Sequence, residues 1–366
     1  MRSRFDKWWP WLKALCAIAI VAAVSWRFVR DLQHPELWQR SFHFGWLALS
    51  GVLYVLSLGF SILFWYRLLR SLGQRPNILA AIRAYYVGLQ GKYLPGKAWA
   101  LVIRANLVRG PEVRLGVALF TSFYEVFTTM ASGVLLSAIL FAFLWPSNPT
   151  TERWPILRHL LSGQESEIPV ADRKGLVLTD LMLLAIVGIP LLPGIFNRIV
   201  QRLASFQSAA RVEGENRPAL PHLKPWSLPE GLILTSGAWF LMGASLWATL
   251  RGILDQPEPW SWELWGRYTA SVGLAYVAGF LIFFVPSGIG VREFFLKVVL
   301  TSELAGMLGS RSAEAGPTAA LAVLVLRLAW TATEVLTAGL VYWLPGPKMQ
   351  PRMKHGSNTE KRGQFF

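Results

Sequence analysis

The chain has 366 residues, of which 53% are hydrophobic and only 16% charged, with 18 tryptophans. A soluble chain carries about 25% charged residues, so this composition excludes an ordinary water-soluble domain and points to lipid. A formal net charge of +15 would suit a nucleic-acid partner, but the basic residues are scattered over short connections between apolar runs and over the tail. Membrane topology explains that scatter, and no nucleic-acid partner is expected.

Arg2, Arg4 and Lys7 precede the first apolar run, 11–29. Ala23-Val24-Ser25 has the small-residue form of a cleavage site, but the run is long for a signal peptide, and a retained anchor is expected. Cys16, within it, is the single cysteine, which excludes an intramolecular disulfide and a cysteine metal cluster. Further runs at 46–66, 115–145, 176–196, 229–250 and 317–344 each approach or exceed the roughly 20 residues that a helix needs to cross a bilayer. The reading is an all-α integral membrane protein with about six full spans.

Two more stretches, 79–103 and 266–301, are apolar but interrupted. The first contains Gly88, Gly91, Pro95 and Gly96 and carries Arg83, Lys92 and Lys97, with Arg104 just beyond. A lipid-facing helix would lose roughly 2.5–3.5 kcal/mol for each central Arg or Lys. A broken, re-entrant hairpin buried among other helices avoids much of that cost. Residues 145–174 read as an external segment with a short interfacial helix, 197–228 as a basic, proline-bearing internal connection, and the tail from Gly346 as polar and disordered.

With the N-terminus inside, the connections 67–78, 104–114 and 197–228 and both termini hold more than twice as many basic residues as the external segments. That bias favours both termini in the cytoplasm of a cell (inner) membrane. It holds only if each interrupted stretch enters and leaves on one side.

The interrupted stretches share a pattern. GLQGKYLPG, from Gly88 to Gly96, and GFLIFFVPS, from Gly279 to Ser287, have the same spacing from glycine to proline, and Tyr86-Val87 and Tyr276-Val277 lie just upstream. The topology sends the first in from the cytoplasm and the second from outside, so the halves form an inverted repeat. The expected organisation is 1–45 anchor and external loop, 46–145 first membrane repeat, 146–228 loop, connecting span and basic loop, 229–345 second, inverted repeat, and 346–366 tail. Inverted repeats meeting at broken helices are a transporter design in which two halves exchange conformations around one site. The alternative is a chance match of short Gly-Pro patterns, since both residues are common in membrane helices.

The segments KYLPGKAWALVIRANLVR and FVPSGIGVREFFLKVVL resemble the two signature regions of the lysylphosphatidylglycerol synthetase transmembrane, or flippase-like, family. The resemblance runs from about the second span to the last. It implies a membrane translocase domain with re-entrant hairpins that moves a lipid between leaflets. The matching positions are Pro95, Gly96 and Arg104, then Glu125 in the following span, then Pro286, Gly288, Gly290, Arg292 and Glu293. The chain departs from the family where Lys97-Ala98-Trp99 replaces a Gly-x-x-Gly continuation, at Thr128-Thr129 where an acidic residue is usual, and at Ser287 where glycine is usual. The family's full-length synthases add a soluble aminoacyltransferase domain, for which the residues after the last span leave no room. The expectation is therefore a non-enzymatic membrane part with membrane lipids as its partners, and a separate soluble transferase as a partner in the alternative that the chain is a membrane subunit.

Several charged positions complete the candidate site. Arg104 and Arg292 follow the two breaks and could grip a lipid phosphate through paired hydrogen bonds; Arg104 could instead snorkel to the interface. Glu125 lies inside a span and needs a partner, for which Arg104 is the natural choice, either for function or as a structural ion pair. Arg327 and Glu334, seven residues apart, share one face of the last span and either line the cavity beside Glu293 or pair with it. Lys92 and Lys97 flank Pro95 and reach either a head group or the interface. His34, His43, His159, His222 and His355 are scattered without metal-ligand spacing. There is no dinucleotide fingerprint, P-loop or nucleophile elbow, so neither metal nor cofactor is expected.

The sequence thus favours a lipid translocase for an anionic or phosphate-linked head group. Its alternatives are the membrane subunit of a lipid-modifying transferase and a non-transporting membrane scaffold.

Overall fold

The computed structural model describes residues 33, 41–93, 98–146, 173–208, 222–254, 259–281 and 290–343. The anchor run at 11–29, most of the external segment and the tail lie outside the described residues. All regular elements described are helical: α1 (Phe44–Ser71), α2 (Ile78–Leu89), α3 (Trp99–Val108), α4 (Leu115–Leu144), α5 (Arg173–Gly188), α6 (Pro193–Ser208), α7 (Ser227–Ile253), α8 (Trp262–Leu281), α9 (Val291–Leu308) and α10 (Ala315–Trp343), with short 3-10 turns after α2, α5 and α9.

Five helices are long and apolar enough to cross a bilayer: α1, α4, α5 with the turn that follows it, α7 and α10. They coincide with five of the six predicted runs. The boundary of one run needs correction. The apolar stretch 176–196 is not one helix, because α5 ends at Gly188 and a 3-10 turn at Ile189–Leu191 precedes α6. Pro190 lacks the N–H that an α-helix would use, and Pro193 suits the first position of a new helix. The first part of the predicted basic connection is accordingly helical.

Lipid tails are as apolar as leucine, so burial of hydrocarbon alone does not hold such helices together; close packing of small residues and interhelical hydrogen bonds do. Both are found where α1 crosses α7. Ser50 bonds Ser245 and Thr249 at 2.8 Å each, and Trp330 Nε1 of α10 donates to Ser245 Oγ at 2.8 Å. The two helices are antiparallel: His43 N–H donates to the Gly252 carbonyl at one end, and Gly231 faces Phe64 at the other. On α4, Gly133 admits the indole of Trp239, which donates to the Thr129 carbonyl at 2.9 Å. Large side chains such as Val52, Leu56 and Ile233 point outward, as lipid-facing positions do.

α2 with α3, and α8 with α9, form two helical hairpins. The first has arms of 12 and 10 residues, about 18 and 15 Å at 1.5 Å per residue, too short to cross a hydrocarbon core of about 30 Å. The second has arms of 20 and 18 residues, about 30 and 27 Å by the same rise. The packing is reciprocal. α4, which follows the first hairpin, lies against α7 and α8; α10, which follows the second, lies against α1 and α2.

Candidate functional site

Each hairpin closes on a glycine. A Cβ on Gly88 would stand 2.7 Å from the Cβ of Arg104 and 2.9 Å from its Cα and N; one on Gly279 would stand 2.7 Å from the Cβ of Arg292 and 3.1 Å from its Cα and N. Only hydrogen fits, and its small size lets the second arm approach the first closely.

Three residues before each glycine, on the same helical face, stands a tyrosine. The Arg104 guanidinium lies 4.6 Å from the Tyr85 ring and 4.6 Å from that of Trp65 on α1, while Arg292 lies 5.0 Å from Tyr276 and 5.7 Å from Trp330 on α10. Each arginine thus sits between a tyrosine of its own hairpin and a tryptophan of a neighbouring span. The residue matching Tyr276 is Tyr85, not the Tyr86 that the Tyr-Val pairs suggested; Tyr86 instead donates its hydroxyl proton to the Val55 carbonyl at 2.9 Å.

The two arginines differ in their polar partners. Arg104 donates from Nε to Ser122 Oγ at 3.1 Å and from Nη2 to the Ser122 carbonyl at 3.0 Å and to Glu125 Oε2 at 2.9 Å. The other oxygen of Glu125 accepts from Tyr85 at 3.2 Å and Thr129 at 3.3 Å. The side chains of the pair are only 5% and 1% exposed, so Arg104 does not snorkel. Arg292 donates to Glu293 Oε1 at 3.2 Å, but Arg327 reaches the same oxygen at 2.7 Å. The remaining oxygen, Oε2, accepts from the Gly290 N–H at 2.7 Å, capping α9 where Gly290 turns with φ +87°, a conformation that favours glycine. Glu293 is thus helix cap and shared counter-ion at once.

A third cluster joins the first hairpin to α10. Glu334 accepts from Lys92 Nζ at 2.5 Å, from Tyr93 at 2.9 Å and from Tyr54, whose ring stacks on Trp330 at 4.5 Å. Arg327 and Glu334 share a helix but not a partner: one holds the second hairpin, the other the first. Lys92 turns inward to this cluster rather than to an interface.

Between the hairpins lies a cavity of about 400 Å³ whose wall includes Tyr54, Lys92, Glu125, Trp239, Tyr276 and Arg292, among many apolar side chains. A smaller pocket by Arg292, Glu293 and Arg327, about 10 Å³, has room for at most one water, so of these two only the larger has space for a ligand. Of the charged residues on the wall of the larger cavity, the cations Lys92 and Arg292 outnumber the carboxylate Glu125 by one. Such a wall can hold one further negative charge at its apolar centre. Pro95, Gly96, Lys97, Pro286 and Gly288 lie outside the described residues. Among the described residues no group of three or more His, Cys, Asp or Glu is placed to hold a metal ion.

Sequence reading missed the aromatic and hydroxyl partners Tyr54, Trp65, Ser122 and Trp330. Tyr85 alone had a usable signal, its fixed spacing from the glycine.

Long apolar helices packed around a charged internal cavity define a polytopic helical membrane protein. The model of one family, described as the lysylphosphatidylglycerol synthase TM region, matches residues 14–341, and the chain belongs to that family. Comparison with curated proteins gives no match. Membership implies a lipid-related role in the membrane, and the match covers the membrane region of the synthases, with no catalytic domain in evidence.

Proposed function

We propose that the chain translocates a lipid with an anionic or phosphate-linked head group between leaflets of a cell membrane. The carrying observation is the cavity that Lys92 lines from the 3-10 turn after α2, Glu125 from α4 and Arg292 from α9. Head groups cross plain lipid slowly because desolvating charge is costly. In this reading the hairpin side chains replace water around the head group while the tail stays in the bilayer.

An inverted repeat supports alternation between the two faces. α1 is antiparallel to α7, α4 and α10 pack reciprocally onto the opposite halves, and each hairpin holds an arginine between a glycine, a tyrosine and a tryptophan. Two halves of one design in opposite senses can exchange shapes around a fixed site. With both termini cytoplasmic in an inner membrane, single cysteines at Arg109 and Trp262 should label from opposite sides.

Reconstitution into liposomes with fluorescent anionic phospholipids, aminoacylated lipids and polyprenyl-phosphate lipids tests the reading. Outer-leaflet accessibility should equilibrate faster with the native chain than with Arg292→Ala. Equal rates for every lipid would sink it. The family description, the TM region of a synthase, favours one other reading, a membrane subunit for a separate lipid-modifying transferase. Copurification of a soluble transferase, with no translocation by the chain alone, would select it.

A further inference from the structure

The span α5 buries an acid that the cavity does not use. Asp180, halfway along α5, is 0% exposed. Its Oδ2 lies 2.7 Å from Ser137 Oγ of α4, and Ser137 Oγ lies 2.9 Å from the Ala270 carbonyl of α8. Its other oxygen, Oδ1, has no hydrogen-bond partner among the described residues.

Among the described residues the surroundings offer no counter-ion. Apolar residues pack about this junction, including Phe141 on α4, Leu176 on α5 and Leu274 on α8. On α4 the described acid is Glu125, engaged by Arg104. On α8, Glu263 and Arg267 pair with each other, and Arg267 pairs again with Glu303 of α9. Arg173 and Lys174 begin α5 itself, about two turns before Asp180. None of these forms an ion pair with Asp180 among the described residues.

Counting protons decides the state. A serine hydroxyl has one hydrogen and two acceptor lone pairs. If Ser137 gives its hydrogen to an ionised Asp180, the short contact from Ser137 to the Ala270 carbonyl sets two acceptor oxygens face to face without a hydrogen. If Asp180 carries the proton, both contacts are satisfied in series: the acid donates to Ser137 Oγ, and Ser137 donates to the carbonyl. The neutral acid also avoids an uncompensated charge in an apolar interior.

We propose that Asp180 is a proton-binding site, occupied in this conformation, whose proton ties α5 to α4 and, through Ser137, to α8. α8 is the first arm of the second hairpin and brings Tyr276 to the cavity wall. Proton occupancy at Asp180 therefore favours the docked position of that arm. The sign follows from occupancy: the docked state binds the proton and is favoured at low pH, and its advantage declines as the pH rises far enough to remove it. Proton binding at Asp180 is independent of any transported lipid, and an infrared band and a thermal transition report on it without a substrate.

The full chain in lipid nanodiscs at neutral pH is examined by infrared spectroscopy. The native protein should show the carbonyl stretch of a protonated carboxylic acid, which Asp180→Asn loses while keeping its helical circular dichroism. Should Asp180→Asn fail to fold, Ser137→Ala provides the second arm, and the band should shift to higher frequency as its acceptor is removed. Thermal unfolding should show native stability falling with rising pH more steeply than that of Asp180→Asn. An absent acid band in the native protein, or a band unchanged in whichever variant folds, would overturn the proposal.

Discussion

The two hairpins bury the same arginine in different company. Arg104 of the first spends its guanidinium on Ser122 and Glu125, between Trp65 and Tyr85, and its side chain is 5% exposed. Arg292 of the second stands between Tyr276 and Trp330, shares one carboxylate oxygen with Arg327, and faces the cavity. A glycine and an aromatic pair fix the arginine's place in both, but the number of carboxylates decides what it can do. A fully paired arginine holds the fold; one sharing its counter-ion can still receive an anion.

That contrast breaks first where the pairing is tightest. Arg104→Ala strands Glu125 in the interior, and removing one partner of a buried ion pair costs about 3–5 kcal/mol. Thermal unfolding in detergent should show the largest loss here. Glu125→Gln should fall short of it, since the amide still accepts from Arg104.

Next come the glycines. Gly88→Ala and Gly279→Ala force each arginine's arm away from its partner, with a cost of about 1–3 kcal/mol for overpacking. The Arg104 backbone at 2.9 Å against the Arg292 backbone at 3.1 Å makes Gly88→Ala the more damaging of the two. Equal effects would erase that order, and no effect at either would show that the hairpins open without loss.

Lys92→Ala leaves Glu334 with its two tyrosine donors, and Lys92 is part-exposed at 17%. A loss of about 1.5–3 kcal/mol is expected, the scale of a hydrogen bond to a charged group. Arg292→Ala should disturb stability least of the arginine variants, since Glu293 keeps Arg327 and the Gly290 cap. Its effect belongs to transport: a contact to a charged group is worth about 1.5–3 kcal/mol, so translocation of an anionic lipid should slow by roughly ten- to a hundredfold. A variant Arg292→Ala that unfolds as readily as Arg104→Ala would erase the distinction between the hairpins.

Much of this was legible in the chain. Hydrophobic runs of span length placed α1, α4, α7 and α10, because lipid demands about 20 apolar residues wherever a helix crosses. The glycine-to-proline spacing singled out both hairpins, and Glu125 stood out as an ionisable group in a span with Arg104 as the obvious partner. Less was legible at α5, where counting apolar residues overlooked Pro190, and at the tyrosines, where matching the Tyr-Val pair gave the wrong register. Asp180 carried the same signal as Glu125, an ionisable group in an apolar run, but it had no evident cationic partner in the chain and was passed over.

By itself the sequence determined a helical membrane protein, the places where its helices break, and the charges near those breaks. These follow from local rules: the length of a span, the missing N–H of proline, the cost of charge in lipid. Only the tertiary structure decided the pairings. Glu334 joins Lys92 from 242 positions away, Glu293 divides itself between Arg292 and Arg327, and Ser137 relays between Asp180 and Ala270. No periodicity encodes such contacts, because they depend on which faces of distant helices meet, and that is settled by the small residues at the crossings.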